Sequence, residues 1–490
     1  MISTIRNALA ATVLVSIAMA EPITLDPKNP HYFLFRGKTT ALVTSGEHYG
    51  AVLNADFDYR RYLAALERDK LNYTRIFGGA YVEVPSKSFG ILRNDLAPAP
   101  GHYAAPWVRS QTGGYAGGGN KFDLGRWDAK FFERLHDFLS EAAKRRIIVE
   151  LTLFSSYYDE AQWNISPLNA SNNVNGTDAI DWKKVQTLTN GNILRHQEQF
   201  TRKLVREANR FDNVVFEIQN EPWSDRPTLV DLVNPYLQLP GRDRYPNSVD
   251  LADELSIAWQ AQVAEWIGSE EAALPNKHLI AQNYCNFRFP VAKLLAGVSI
   301  VNFHYAYADA VLLNYGLSKA IAYDETGFLG RDDTVYARQA WNFMLSGGST
   351  FNNLDYSFTV GHEDGTDAEP NGPGGGSPEL RRRLRILSEF LAMLPLADLG
   401  PDLHTVKHAA SVGAHVLSDP GHVYAMYLDG RGPTNVILDL PKGDYSSEWM
   451  NIGTGGIEKA EKFHHAGGDK TVSTPNFENG IALRLNRLPL

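Results

Sequence analysis

Eight short apolar runs, separated by longer amphipathic stretches, constrain this chain more than any other feature. They span 39–44, 72–77, 147–154, 214–221, 278–282, 299–304, 320–325 and 349–354. Between them apolar residues recur at helical spacing, as at Phe131, Leu135, Phe138 and Ala142, and again at Leu251, Leu255, Trp259 and Val263. Continuous apolar strands need both faces covered, which strand-helix alternation provides. Eight such units predict a (β/α)8 barrel. A doubly wound open sheet is the alternative, but the first strand lacks the glycine fingerprint of a dinucleotide site.

The flanks of this alternation read differently. Residues 1–20 carry one early charge at Arg6, an apolar stretch from Ala8 to Ala18, and the small-x-small triplet Ala18-Met19-Ala20. They read as a signal peptide, which places the protein outside the cytoplasm, secreted or periplasmic. The rival, an N-terminal membrane anchor, needs a longer run of about 20 apolar residues. No later segment reads as a membrane span. Residues 21–398 form the expected barrel unit. Beyond Gly400, runs such as HVYAMYLDG, TNVILDLP and GIALRLNRL alternate with turn residues, predicting a C-terminal β-sandwich over 399–490. It reads as a structural cap on the barrel, with a dedicated sugar-binding module as the alternative.

A formal charge of −9 argues against a nucleic-acid partner. Cys285 is the only cysteine, so the chain has no intrachain disulfide and no Cys-rich zinc site. It reads as a small buried hydrophobe. Two connections, 81–127 and 359–378, are long for a compact domain, and both follow strands. Loops after barrel strands lie on the catalytic face, so these two are expected to shape a cleft.

The fourth run, NVVFEIQNEPW, ends in Asn220, Glu221 and Pro222. Proline cannot continue a central strand, so Glu221 belongs where the strand leaves the sheet. The seventh, AIAYDETG, ends in Asp324 and Glu325. Glycosidic hydrolysis needs one carboxyl to protonate the leaving oxygen and another to attack the anomeric carbon or activate water. Glu221 and Glu325 are the candidates. Glu217 shares a strand face with Glu221, so it should point into the barrel, where an unpaired carboxylate is costly and Arg75 is the available partner.

The strand ending in Asn-Glu-Pro, followed three strands later by one ending in Glu, resembles clan A glycoside hydrolases, and most closely family 5. The resemblance implies a retaining barrel enzyme acting on a poly- or oligosaccharide by double displacement. It makes Glu221 the general acid/base and Glu325 the nucleophile. It also gives Asn220 a contact to the sugar 2-hydroxyl, Arg75 (in NYTRIF) support of the nucleophile, and His304 (in NFHYAY) the place of the active-site histidine. The chain departs from the family at three points. The third strand ends LTLFSSYY without a histidine, the eighth carries no tip tryptophan, and the His-x-Tyr spacing falls on Ala306, so Tyr305 or Tyr307 must substitute.

Trp223 is the first choice for stacking on a sugar, ahead of Trp107, Trp127, Trp163, Tyr284 and Tyr356. No cofactor or metal is called for. A metalloenzyme reading would instead draw on Glu150, Glu221, His304 and Glu325. The partner is a carbohydrate substrate. The reading from another class is a catalytically silent barrel that binds carbohydrate.

Overall fold

The computed structural model describes residues 21–46, 49–85, 88–231, 248–369 and 372–489, so the expected leader lies outside the described residues. Its centre is a barrel of eight parallel strands: β1 (Leu42–Ser45), β2 (Tyr73–Phe77), β3 (Ile148–Ser155), β4 (Val214–Asn220), β5 (Leu279–Asn286), β6 (Val298–His304), β7 (Ala320–Glu325) and β8 (Thr350–Asn353). Each strand pairs with its sequence neighbour from β2 round to β8, and β8 pairs with β1. At the remaining seam, between β1 and β2, one residue does much of the joining. The Asn72 side chain accepts from Val43 N–H (2.9 Å) and donates to the Ala41 carbonyl (2.9 Å), while its own N–H reaches the Val43 carbonyl at 3.3 Å.

Seven helices follow the strands: α1 (Tyr59–Arg68), α2 (Ala129–Lys144), α3 (Ile193–Ala208), α4 (Glu254–Ala272), α5 (Asp309–Asn314), α6 (Asp333–Met344) and α7 (Pro378–Ala392). Their starts are set by local chemistry. Asp58, Asp128, Asp253, Asp332 and Ser377 each cap an orphan N–H of the first turn with a side-chain oxygen. The apolar stripe Phe131, Leu135, Phe138 and Ala142 is buried in α2 as expected.

Three sequence expectations need correction. The β5–β6 connection contains no helix, so among the described residues seven helices, not eight, alternate with the strands, besides the short helix Glu160–Asn164 within the β3–β4 connection. The first run divides: Lys38–Thr40 belongs to a separate N-terminal sheet, and the barrel strand begins at Leu42. The stripe from Leu251 is half right, because Asp253 caps α4. Leu251 lies upstream in a strand (Ser248–Ala252) and Leu255 is exposed, whereas Trp259 and Val263 are buried.

The N-terminal sheet (Thr24–Leu25, Phe33–Phe35, Lys38–Thr40) closes the bottom of the barrel. Ile23, Phe33 and Phe35 cluster there with inward residues of seven strands, among them Leu42, Tyr73, Ile148, Val215, Ala281 and Ile300. With that end plugged by hydrocarbon, the barrel opens at the rim of the strand C-termini. Beyond α7 the chain forms a six-stranded and a three-stranded antiparallel sheet, a β-sandwich. Its core holds Tyr424, Met426, Leu438, Trp449 and Leu483. It docks on α6: Arg338 makes a two-pronged ion pair with Asp429 (2.8 and 2.9 Å), and Trp341 stacks on Tyr427 at 5.5 Å. No helix among the described residues is long and apolar enough to cross a membrane.

Candidate active site

Glu221 and Glu325 meet at the C-terminal rim. Their nearest carboxylate oxygens and the Nδ1 of His304 all lie within 4.8 Å of one another. Glu221 sits just past β4 with φ of +45°, a conformation that costs a non-glycine residue about 1–3 kcal/mol. The turn is held from both sides. Glu221 N–H donates to Asn283 Oδ1 (2.9 Å), and its carbonyl accepts from Ser156 Oγ (2.6 Å) and from the Ser224 N–H (2.9 Å).

At the end of β7, strand register does the positioning. Phe303 pairs with Tyr323 and His304 with Glu325, leaving Asp324 as an extra residue opposite none. Consecutive side chains normally point to opposite faces, and a bulge relieves that rule. Both Asp324 and Glu325 consequently approach the same two cations: Arg75 at 3.6 and 3.3 Å, and His304 at 3.6 and 3.5 Å.

The two candidate carboxylates have different environments. Glu325 accepts from Tyr305 OH (2.8 Å) at Oε1, and from Tyr49 OH and Arg75 Nη1 (3.3 Å) at Oε2. Glu221 lies 3.0 Å from His304 Nδ1 at Oε1, and accepts from Tyr158 OH (2.9 Å) at Oε2. Burial opposes a charge on His304, yet the neighbouring Glu325 and Asp324 carboxylates hold its pKa well above the ordinary imidazole value. Burial would likewise raise Glu221, but the hydrogen bond and charge of His304, with Tyr158 and Arg75, bring it below the ordinary carboxylate value. Glu221 and His304 thus share one proton across a 3.0 Å contact, with the imidazole favoured as its holder. A general acid ordinarily carries a raised pKa of its own, whereas here the raised group is the histidine beside Glu221.

Arg75 is fully buried and serves two layers at once. Below, Nε and Nη2 donate to Glu217 Oε2 (2.9 and 2.6 Å), and above, Nη2 donates to Asn220 Oδ1 (2.8 Å) and Nη1 reaches Glu325. Core ion pair and support of the candidate nucleophile are therefore one arrangement. Beneath it Glu150, Glu217 and Asp324 bring oxygens within 4.8 Å of one another. Tyr73 OH (2.8 Å) and Asn302 Nδ2 (2.7 Å) donate to Glu150, whose pKa is pushed up to about 8 by burial and by Glu217. Both acidic groups have a spacing that a cation could use. The glutamates of both groups already accept hydrogen bonds, from tyrosine hydroxyls and Arg75 in the upper group and from Tyr73, Thr152, Asn302 and Arg75 in the lower, whereas the Asp324 oxygens have no hydrogen-bond partner among the described residues.

Of the other expected residues, Asn220 donates to Tyr158 OH (2.8 Å) beside the cavity. Tyr305, not Tyr307, contacts Glu325, because φ of +50° at Tyr305 turns its ring inward. Tyr307 lines a separate groove. Trp223 is buried edge-on against His304 (5.6 Å, 85°), so its face is not offered to a sugar. Trp107 and Trp127 stack on each other, and Trp163 is buried with Nε1 bonded to the Ile180 carbonyl. Tyr356 does line the cavity.

Sequence reasoning missed Tyr49 and Tyr158. Tyr158 comes from the LTLFSSYY segment, and its hydroxyl donates to Glu221 (2.9 Å) and accepts from Asn220 (2.8 Å). The cavity over these groups is about 190 Å3 and is walled by Phe89, Ile91 and Leu96 from the connection after β2, Phe328 after β7, and Tyr356 and Phe358 after β8. Arg93 pairs with Asp367, tying the two long connections together as one wall. The glycine-rich tip of the first takes no part. It turns a hairpin (Trp107–Gly113 with Asn120–Trp127) that packs on the β3 connection through Tyr115 OH to Ile165 O and Ala116 N–H to Asn172.

A barrel with two carboxylates and a shared histidine at its C-terminal rim is an architecture suited to acid/base and nucleophilic chemistry on a polar substrate. Comparison with solved structures gives that architecture its relatives. The chain is similar to a putative glycoside hydrolase from Bacteroides vulgatus (13% identity, TM-score 0.65, covering 96% of this chain and 83% of that one). It is also similar to a glycoside hydrolase family 5 structure from the same organism (11%, 0.61, 95% and 93%) and to a further glycoside hydrolase (11%, 0.60, 95% and 97%). The likeness covers 95–96% of this chain, barrel and sandwich together, and establishes the fold, one shared with these glycoside hydrolase structures. No protein-family profile and no curated protein sequence matches the chain.

Proposed function

We propose that the protein is an exported, retaining β-glycoside hydrolase that cleaves a poly- or oligosaccharide by double displacement. The observation that carries this is the pair Glu221 and Glu325, whose nearest oxygens lie within 4.8 Å of each other, Glu221 beside the His304 imidazole and Glu325 beside the Arg75 guanidinium. Retaining enzymes hold their carboxyls about 5–5.5 Å apart, whereas inverting ones leave about 6.5–9.5 Å for a water. The leader-like residues 1–20 support export, and N-terminal sequencing of the mature protein tests it.

The chemistry follows from the contacts. Glu325, held by Arg75, Tyr49 and Tyr305, attacks the anomeric carbon as the glycosidic bond breaks, forming a glycosyl ester. As Glu325 spends its charge on that carbon, His304 loses the main carboxylate supporting its cation, and burial then favours the neutral imidazole. The proton passes along the 3.0 Å contact to Glu221 and on to the leaving oxygen, which gains negative charge in the same step. Water then attacks the anomeric carbon and displaces the Glu325 carboxylate, while Glu221 takes the water's proton and returns it to His304.

Glu325→Gly tests the assignment. It should abolish turnover of an aryl β-glycoside and be rescued by azide, giving an inverted α-glycosyl azide. Azide rescue of Glu221→Gly to the inverted product would exchange the two roles. Binding without hydrolysis across natural and aryl glycosides would favour the silent carbohydrate-binding barrel.

A further inference from the structure

The catalytic cavity does not end at Tyr305 and Phe328. Both residues also line a second, larger groove of about 1030 Å3 between the barrel rim and the C-terminal sandwich. We propose that this groove binds the part of a neutral oligosaccharide that extends beyond the sugar held at Glu221 and Glu325. The proposal rests on the glycosidase reading and adds to it where the rest of the saccharide chain lies, between the barrel rim and the sandwich.

Size is the first argument. Pockets that enclose a whole small ligand run to about 300–1,000 Å3, so the catalytic cavity suits little more than one ring, and the adjoining groove has room for several. Its walls are contributed jointly. The barrel supplies residues after β5, β6 and β7, and the sandwich supplies the segments around Leu403 and His415.

Surface chemistry is the second argument. Tyr307, Leu329 and Leu403 stand 41, 57 and 71% exposed along the groove, an unusual concentration of open apolar surface that suits the C–H faces of sugar rings. Beside them the polar side chains of Asn286, Gln339 and Asn342 line the same groove, where sugar hydroxyls would find amide donors and acceptors. The arginines at the groove are already committed, Arg338 to Asp429 and Arg288 to Asp309. The Asp402 carboxylate is taken up by Thr405 and Ser418 within the sandwich. A groove with its charges internally paired fits a neutral chain better than an acidic one.

Backbone geometry at the junction is the third. Phe287 and Tyr305 both have positive φ, +67° and +50°. They are fixed by Phe287 N–H to the His304 carbonyl (2.8 Å), Tyr305 N–H to the Glu325 carbonyl (2.8 Å) and Tyr307 N–H to the Phe287 carbonyl (3.0 Å). The same hydrogen bonds that present Tyr305 to Glu325 place Phe287 and Tyr307, 6.0 Å apart, at the head of the groove. Strain of this sort persists where the surroundings impose it, and here it joins the two spaces.

The test uses the full chain carrying Glu325→Gln, which separates binding from turnover. It is titrated calorimetrically with β-1,4-linked disaccharides and hexasaccharides of mannose, xylose and glucose. The expected result is that one hexasaccharide binds at least about tenfold tighter than its disaccharide, and that Leu329→Asp with Leu403→Asp brings this ratio to about one. Both leucines are exposed, so the fold should tolerate the changes. Equal affinity for both lengths, a ratio that survives the two substitutions, or no binding by any hexasaccharide would overturn the proposal. So would sedimentation showing that the substitutions split a dimer, since the groove would then be a contact between copies. Length-dependent binding alongside a wild-type enzyme that hydrolyses none of these sugars would sink the hydrolase reading and leave the groove standing.

Discussion

Tyr158 and Tyr305 each hand a hydroxyl to one of two carboxylates that would otherwise compete for the same proton, and His304 sits between them. Asp324 acts on this arrangement by its charge, 3.6 Å from His304 and 3.6 Å from Arg75, since neither of its oxygens has a hydrogen-bond partner among the described residues. Asp324→Asn should remove a charge that keeps His304 cationic, so the alkaline limb of the kcat profile should move down by about 1 pH unit, the lower end of a neighbouring charge's effect. The sign follows from a raised pKa: the cation is present below it and lost as pH rises through it. A merely structural role would lower activity without moving the limb.

Glu150 offers a stability test of the same kind. Its folded pKa of about 8 lies above the ordinary 4.5, so its contribution is fully present below the lower value and is lost as pH rises through the higher. Glu150→Gln keeps the neutral shape, and its Tm relative to wild type should therefore rise steadily between pH 5 and 8. Glu221, Glu325 and Arg75 were legible in the sequence because they end or interrupt apolar strands. Tyr49 and Tyr158 were not, because they lie in loops whose course no periodicity dictates. The inward turn of Tyr305 depends on a positive φ that sequence does not encode for a tyrosine.

The eight strands were readable as elements because a parallel barrel strand must be apolar on both faces, and that leaves a run no other structure of similar length mimics so regularly. What blurred was their edges. Thr39 and Thr44 belong to one apolar run yet to two sheets, since a run says nothing about where its hydrogen bonds go. Both long connections border the cavity, as their position after strands led one to expect, but only part of the first does so. Its glycines serve a hairpin turn, and Phe89 to Leu96 make the wall. The β1–β2 seam predicts its own weak point. Asn72→Ala removes two side-chain hydrogen bonds to the backbone of β1 and should cost about 2 kcal/mol in denaturant unfolding, with faster hydrogen exchange confined to β1 and β2. A loss below about 0.5 kcal/mol would mean that the seam holds through packing alone.

At the level of the whole molecule, barrel and sandwich share an interface rather than a tether. Trp341 is fully buried between Phe390 and Tyr427, and the Arg338–Asp429 pair closes over it. The full chain should therefore unfold in one cooperative thermal transition. A chain ending at residue 398 should expose the Trp341 ring and aggregate on size-exclusion chromatography, whereas a soluble truncated barrel with an intact melt would show that the sandwich is dispensable for folding. The lone thiol offers a different use of the structure. Cys285 is sealed inside β5, where burial raises its pKa, so a maleimide dye should pass it by in the native protein. A cysteine installed in place of exposed Leu403 would then be the single reactive handle on the molecule, able to carry an environment-sensitive fluorophore to the edge of the groove without any prior removal of native cysteines.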